Sequence, residues 1–481
     1  MKLDTAVPLV VDLDGTLLTG DMLLESANEF VAGAPWRAVA LVRPLLAGRA
    51  KMKDFLAKRV TPDVTALPYN EELLRFLREE RGAGRRIVLA TASNHLLADA
   101  IAEHLGVFDE VLASDEHTNL KSERKADLLV ERFGAGGFDY VGNDTADLAV
   151  WRVASNALVV SSNARFVSRV NDVSRVFPTK RRAPVRAVSA ALRPHQWTKN
   201  LLIFIPLLSS HRFDVPSDVA RAVVAFALFS LVASSVYVLN DLMDVAQDRH
   251  HPRKRSRPFA SGDLGLWVGW LLWPALLVVA VVGSALLLPP LFLLALAGYF
   301  ALTLLYTLVL KRRAMWDVLA LAILYLARLI AGSVAIGVEV SFWLLCFAMF
   351  FFLSLALVKR YNELRDDRTL PDRPTKIRGR GYFAADLPLV VSLGPAAGYV
   401  SALIVALYVY DERVSSMYAT PEFLWITVPL LLFWISRVWL IAHRGEMHDD
   451  PVVFAIRDRT SYLVGAFVVA GVILATFVTV G

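Results

Sequence analysis

Cysteine is nearly absent from the 481 residues: the single one is Cys346, set inside an apolar run. A disulfide framework is thereby excluded. Charge is sparse as well, 20% of residues against 56% hydrophobic, with a mean hydropathy of +0.49. That is too apolar for one water-soluble fold. It is also too apolar for a disordered chain, which lacks the mass to build a core. No secretory leader is evident in MKLDTAVPLVVDLDGTLLTG (1–20), where acids interrupt the apolar stretch. The chain is therefore expected to open on a folded cytosolic domain. The net charge is only +6, so the placement of charge matters more than its sum.

Composition shifts near residue 190. Before it, short β-branched runs end in polar turns: PLVVDLDG (8–15), RRIVLATASN (85–94) and FDYVGND (138–144). Amphipathic stretches such as NEELLRFLREERG lie between them. Buried strands alternating with helices mean an α/β domain with a parallel sheet. Residues 21–75 fit a small helical cap inserted after the first strand. The expected organisation is a domain over 1–175, a basic Pro-containing linker over 176–192, and a membrane domain over 193–481.

The second part is expected to be an all-α membrane bundle of about nine transmembrane helices. The apolar runs are 196–210, 218–240, 265–288, 290–310, 315–337, 341–358, 385–409, 421–442 and 461–480, the first being short. Loop charges alternate with this count. The 241–264 loop carries Arg249, Arg253, Lys254, Arg255 and Arg257, and the 359–384 loop carries eight basic residues. The loops near 289 and 338–340 carry none. By the positive-inside rule the N-terminal domain and the basic loops are cytosolic, and the C-terminus is outside.

Asp12-Leu13-Asp14-Gly15-Thr16 closes the first strand. Acids two apart at a strand end point the same way, so one can attack while the other moves a proton. A solvated strand end with a turn glycine would read alike. Three further pieces weigh against that. Thr91 ends a later strand and can hold a phosphate oxygen; Lys125 opens a helix and can neutralise phosphate charge. Asn143, Asp144 and Asp147 follow another strand, where they can hold Mg²⁺ with Asp12. Together these residues resemble the haloacid dehalogenase (HAD) superfamily, in its phosphoserine-phosphatase-like branch. The resemblance implies a Rossmann-like α/β domain that hydrolyses phosphate esters, with Asp12 as nucleophile and Asp14 as general acid and base and both at the metal site. The family's last motif usually begins Gly-Asp, and Asn143 stands where that Asp is expected; an inactive, structural domain is the alternative.

The second apolar run ends SVYVLNDLMDVAQDRHHPRKRSRPFASG. Asp241, Asp244 and Asp248, spaced three and four apart, are expected on one helical face beside Asn240. Three uncompensated acids at a membrane edge suit Mg²⁺ bound to phosphate oxygens. In LVKRYNELRDDR, Glu363 and Asp367 form a second pair four apart. Lys199, Arg257, Lys359 and Arg360 are candidates for binding phosphate. The acids gather at one face and not at the midplane, which argues against a transporter. No aromatic residues interleave with the basic ones, which argues against nucleic acid.

NDxxDxxxD followed by basic residues resembles the first motif of the UbiA superfamily of intramembrane prenyltransferases. RPHQWTKNLLIFIPL (193–207) and KRYNEL resemble its decaprenyl-phosphate phosphoribosyltransferase branch. That resemblance implies Mg²⁺-dependent transfer between a polyprenyl phosphate and a phosphoribosyl diphosphate-type donor. The HAD-like domain would then act on the phosphorylated product or a related monoester. The alternative is an aromatic-acceptor prenyltransferase that uses a prenyl diphosphate, with an inactive or regulatory HAD-like domain.

Overall fold

The computed structural model describes residues 6–114, 120–179, 182–368, 381–411, 418–447 and 450–478. The chain forms two compact units. One joins Met1–Arg193 with Tyr237–Ala275; the other joins Pro194–Val236 with Leu276–Gly481.

The first unit is built on six parallel strands, β1 (Leu9–Val11), β2 (Ile87–Asn94), β3 (Glu110–Ser114), β4 (Asp139–Gly142), β5 (Ala157–Val160) and β6 (Val173–Phe177), in the order β3-β2-β1-β4-β5-β6. Alternate residues serve opposite faces. Leu9, Val11, Leu89, Val141 and Leu158 pack on Leu73, Leu77, Leu97 and Ile101 of the helices on one side. Val10, Val88, Tyr140 and Val159 pack on Leu129 and Trp151 on the other. The strand order reverses between β1 and β4, so their carboxyl ends flank a crevice where such sheets bind ligands.

The cap follows β1. It comprises the α-helix Met22–Gly33, a 3₁₀ stretch Pro35–Leu41, and the helices Val42–Leu46 and Arg49–Ala57. Asp21 caps the first helix, accepting from the Leu23 N–H at 2.8 Å. The cap's small core of Phe30, Val31, Met52 and Leu56 also takes in Met243 and Trp270. Asn28 Nδ2 donates to the Leu242 carbonyl at 2.8 Å, and its Oδ1 accepts from Trp270 Nε1 at 3.1 Å. Arg249 forks onto both Glu25 oxygens at 2.8 and 3.0 Å. The cap is thus fastened to the segment that leaves one membrane helix and enters the next.

Eight helical stretches among the described residues are long and apolar enough to cross a membrane, from Pro216–Met243 to Arg459–Phe477. The first two are divided between the units. The remaining run, expected over 196–210, is a 3₁₀ stretch Pro194–Phe204 followed by the five-residue α-helix Ile205–Ser209. Two causes are visible. Pro206 lacks an N–H and sits in the first turn of that short helix. Asn200 is buried and turned inward, donating to Ser230 Oγ at 2.9 Å and accepting from Arg328 Nε at 2.9 Å. Arg328, a buried guanidinium within a spanning helix, also donates to Tyr299 OH at 3.2 Å.

Candidate active sites

At the crevice of the first unit, Asp12 and Asp14 leave the end of β1 with Gly15 in the left-handed region at φ +74°. A Cβ on Gly15 would collide with the Asn143 amide, so glycine here admits Asn143 to the site. Asp12 is 7% exposed. Its Oδ1 accepts from Lys125 Nζ at 2.7 Å, and its Oδ2 from Thr16 Oγ1 at 3.3 Å. Thr16 Oγ1 also lies 3.1 Å from Asn143 Oδ1. One hydroxyl thus reaches both oxygens that would hold a cation. Lys125 is buried, 3.0 Å from Tyr140 OH, and Tyr140 donates to Asp147 at 2.6 Å.

Burial raises the Asp12 carboxyl to about 7 against the pull of Lys125, with Asp147 and Asp14 adding to the rise. Burial and then Asp21 raise Asp14, while the Met22 N–H and Ser93 Oγ, 2.8 Å away each, restrain it. Burial opposes the Lys125 charge, yet Asp12 and Asp147 hold its pKa above the ordinary value.

The other expected residues divide by role. Asp147 accepts from the Asn143 and Asp144 N–H groups at 2.9 and 3.0 Å, so it shapes the loop. Asp144 is exposed and lines the cavity. Thr91 is fully buried and accepts from the Ser93 N–H at 3.0 Å. Ser93, not foreseen from sequence, is the hydroxyl that meets Asp14.

The cavity over these groups holds about 640 Å³. Asp12, Asp14, Lys53, Lys125 and Asn143 line its floor. Phe259, Gly262 and Leu264, from the stretch between the first two long helices, also line it, as does Trp267 at the start of the second.

The first acidic motif runs from the end of the first of these helices into that stretch. The helix Pro216–Met243 stops before Asp244, and a short helix, Val245–His250, follows. Asp241 is 2% exposed and pairs with Arg193. Arg257 bridges Asp241 at 3.1 Å and Asp248 at 2.5 Å. Asp241 and Asp248 are therefore compensated, contrary to the expectation. Arg193 and Arg257 share the work, and Arg257 faces carboxylates where phosphate was expected. Two oxygens remain unsatisfied: Asn240 Oδ1 and Asp241 Oδ2 are buried without a hydrogen-bond partner. Adjacent orphaned acceptors fit a hard cation with oxygen ligands. No group of three or more ligating side chains is assembled among the described residues.

In the second unit, Lys199 and Lys359 converge on Asp450 Oδ2 at 3.0 and 3.4 Å. Burial opposes the Asp450 charge, but Lys359 and Lys199 outweigh it and hold the carboxyl at about 2. Two ammonium groups on one carboxylate leave a net positive charge suited to a phosphate. Arg360, a candidate for binding phosphate, meets carboxylates instead. It is fully buried, 2.6 Å from Asp317, and also paired with Glu363. Tyr382 OH donates to the same Asp317 at 2.7 Å. Asp317, Tyr382 and Asp450 lie far from the motifs in sequence, and nothing local marks them. The side chain of Asp367 lies outside the described residues.

Residues 203–458 match the model of the UbiA prenyltransferase family, and residues 9–131 match that of haloacid dehalogenase-like hydrolases. The chain belongs to the UbiA prenyltransferase family and carries an N-terminal HAD-like domain. It is an integral membrane protein. A Sinorhizobium fredii protein, y4nM, uncharacterized, is 38% identical over 476 residues, 98% of this chain and 92% of that protein. The nodulation protein NoeC of Azorhizobium caulinodans is 36% identical over 284 residues, 58% of this chain and 89% of that protein. A decaprenyl-phosphate phosphoribosyltransferase of Mycobacterium tuberculosis is 32% identical over 287 residues, 58% of this chain and 90% of that protein.

Proposed function

We propose that the membrane part transfers a phosphoribosyl-type unit to a polyprenyl phosphate, and that the HAD-like site then removes a phosphate monoester from the lipid-linked product. The observation that carries this reading is that one compact unit holds both acid clusters, the Asp12–Asp14 pair and the Asp241–Asp248 motif. The likeness to the mycobacterial phosphoribosyltransferase supports the choice of substrates. The y4nM relative, aligned over nearly the whole chain, supports keeping both parts in one polypeptide.

In the transfer, a phosphate oxygen of the lipid bonds to the anomeric carbon of the sugar while the bond from that carbon to the diphosphate breaks. The diphosphate leaves with both bonding electrons. Mg²⁺, when bound, would supply charge neutralisation at that leaving group. Asn240, Asp241, Asp244 and Asp248 would hold it. Lys199 and Lys359 would hold phosphate oxygens. Arg257 would keep Asp241 and Asp248 ionised and in position.

In the hydrolysis, an Asp12 oxygen bonds to phosphorus as the ester P–O bond breaks. Asp14 gives its proton to the departing alcohol oxygen. Asp14 then takes a proton from water as that water attacks the aspartyl-phosphate, and inorganic phosphate leaves with Asp12 restored. Lys125 balances the charge at the phosphoryl group. Asp12, Asn143 and Asp144 would hold a second Mg²⁺, which would supply positive charge favouring the ionised form of Asp12.

The proposed topology puts the first unit and the basic loops on the cytosolic face of a bacterial-type inner membrane. The test of the transfer is incubation of purified protein with polyprenyl phosphate, labelled phosphoribosyl diphosphate and Mg²⁺. Label should enter the lipid phase, and Asp241→Asn or EDTA should abolish its entry. No label in lipid, together with prenylation of an aromatic acid from a prenyl diphosphate, would overturn the reading.

A further inference from the structure

The cap exposes an apolar segment that nothing in its own unit covers. In 35–46, Trp36 is 78% exposed, Val39 77%, Leu45 63% and Leu46 83%, and no residue of the 3₁₀ stretch or the short helix after it is buried. Water is a poor neighbour for such a face. Arg37 and Arg43 are exposed within the same segment.

We propose that residues 35–46 lie in the lipid interface and form the membrane-side lip of the phosphatase cavity, so that this site takes phosphomonoesters carried on a membrane lipid. The substrate half rests on the phosphatase reading above; the membrane contact does not. The occupant follows from what the cap is fastened to. The two cap helices flanking the segment contribute Phe30, Val31, Met52 and Leu56, which pack with Met243 and Trp270. Met243 ends one membrane helix, and Trp270 lies in the first turns of the next. Asn28 ties both through the Leu242 carbonyl and Trp270 Nε1. The segment is therefore held at the level where those helices leave the bilayer.

Leu45 and Trp267 line the same cavity as Asp12. Trp267 is 56% exposed at the start of its spanning helix, the depth at which tryptophan settles among headgroups. Arg37 and Arg43 suit anionic headgroups. A segment of this composition lies in the interface and does not cross it.

The test places a polarity-sensitive fluorophore on Leu46→Cys in a Cys346→Ser background, with the full chain in anionic proteoliposomes. Emission should shift to the blue and be quenched by lipids brominated high on the acyl chain. The same label on Glu131→Cys, an exposed site on a sheet helix, should show neither. Emission at Leu46→Cys equal to that at Glu131→Cys would overturn the proposal. So would a blue shift that brominated lipid leaves unquenched and that fades on dilution into more lipid, because a second copy would then cover the patch. A second arm compares phosphate release from phosphatidic acid in vesicles with release from p-nitrophenyl phosphate. Val39→Asp with Leu46→Asp should lower the first several-fold and leave the second unchanged. An equal effect on both would remove the substrate half. No release from either probe by the parent would count against the phosphatase reading, while the fluorescence still decides the membrane contact.

Discussion

Arg257 and Arg360 both stand beside carboxylates, and burial separates what they do. Arg257 is part-exposed and holds Asp241 and Asp248; Arg360 has no exposure and is locked to Asp317. Removing one partner of a buried ion pair leaves the other charge stranded, at a cost of about 3–5 kcal/mol. Arg360→Met should therefore lower thermal stability in detergent sharply, and adding Asp317→Leu should recover part of the loss. An Arg360→Met protein as stable as the parent would show that the pair is not structural. The motifs DLDGT and NDLMDVAQD were legible because short spacings put acids on one strand end or helix turn. The partners that decide their charge were not legible. Arg193 is 48 residues from Asp241, and Lys125 is 113 residues from Asp12.

The parallel sheet was readable from its apolar runs, since strands buried on both faces leave a continuous signature. The cap's attachment was not readable. Glu25 meets Arg249 across 224 residues and Asn28 meets Leu242 across 214, contacts that no local pattern encodes. Hydrophobicity also read 196–210 as a short spanning helix where a 3₁₀ stretch stands, because composition does not report that Asn200 turns inward to Ser230 and Arg328. The turn after β1 offers a test at this scale. Gly15→Ala places a methyl group on the Asn143 amide and forces a non-glycine residue to positive φ. Phosphate release should fall by an order of magnitude or more, about 1.4 kcal/mol per tenfold. Lipid labelling in the transfer assay should stay at the parent's level. Unchanged phosphate release would show that Asn143 needs no fixed place.

The first unit joins Met1–Arg193 with Tyr237–Ala275, and the proposed topology puts both on one side of the membrane. The chain must then cross to the other side before Pro216, where the first long helix begins. On the proposed topology Pro194–Ser209 makes that crossing despite its irregular form, and the eight candidate spans that follow would return the C-terminus to the outer face. A periplasm-dependent reporter fused after Gly481 should be active, and a cytosol-dependent one silent. The reverse result would contradict this path. With both acid clusters in one unit, the proposed lipid-linked product would meet Asp12 at a local concentration on the order of millimolar. Asp12→Asn keeps the shape of the site and removes its nucleophile, so it separates sequential chemistry from a merely structural domain. Mass analysis of the lipid formed from polyprenyl phosphate and phosphoribosyl diphosphate is the most direct measurement. The parent should yield the dephosphorylated sugar lipid with inorganic phosphate, and Asp12→Asn the phosphorylated lipid alone; a product still phosphorylated in both would contradict the account.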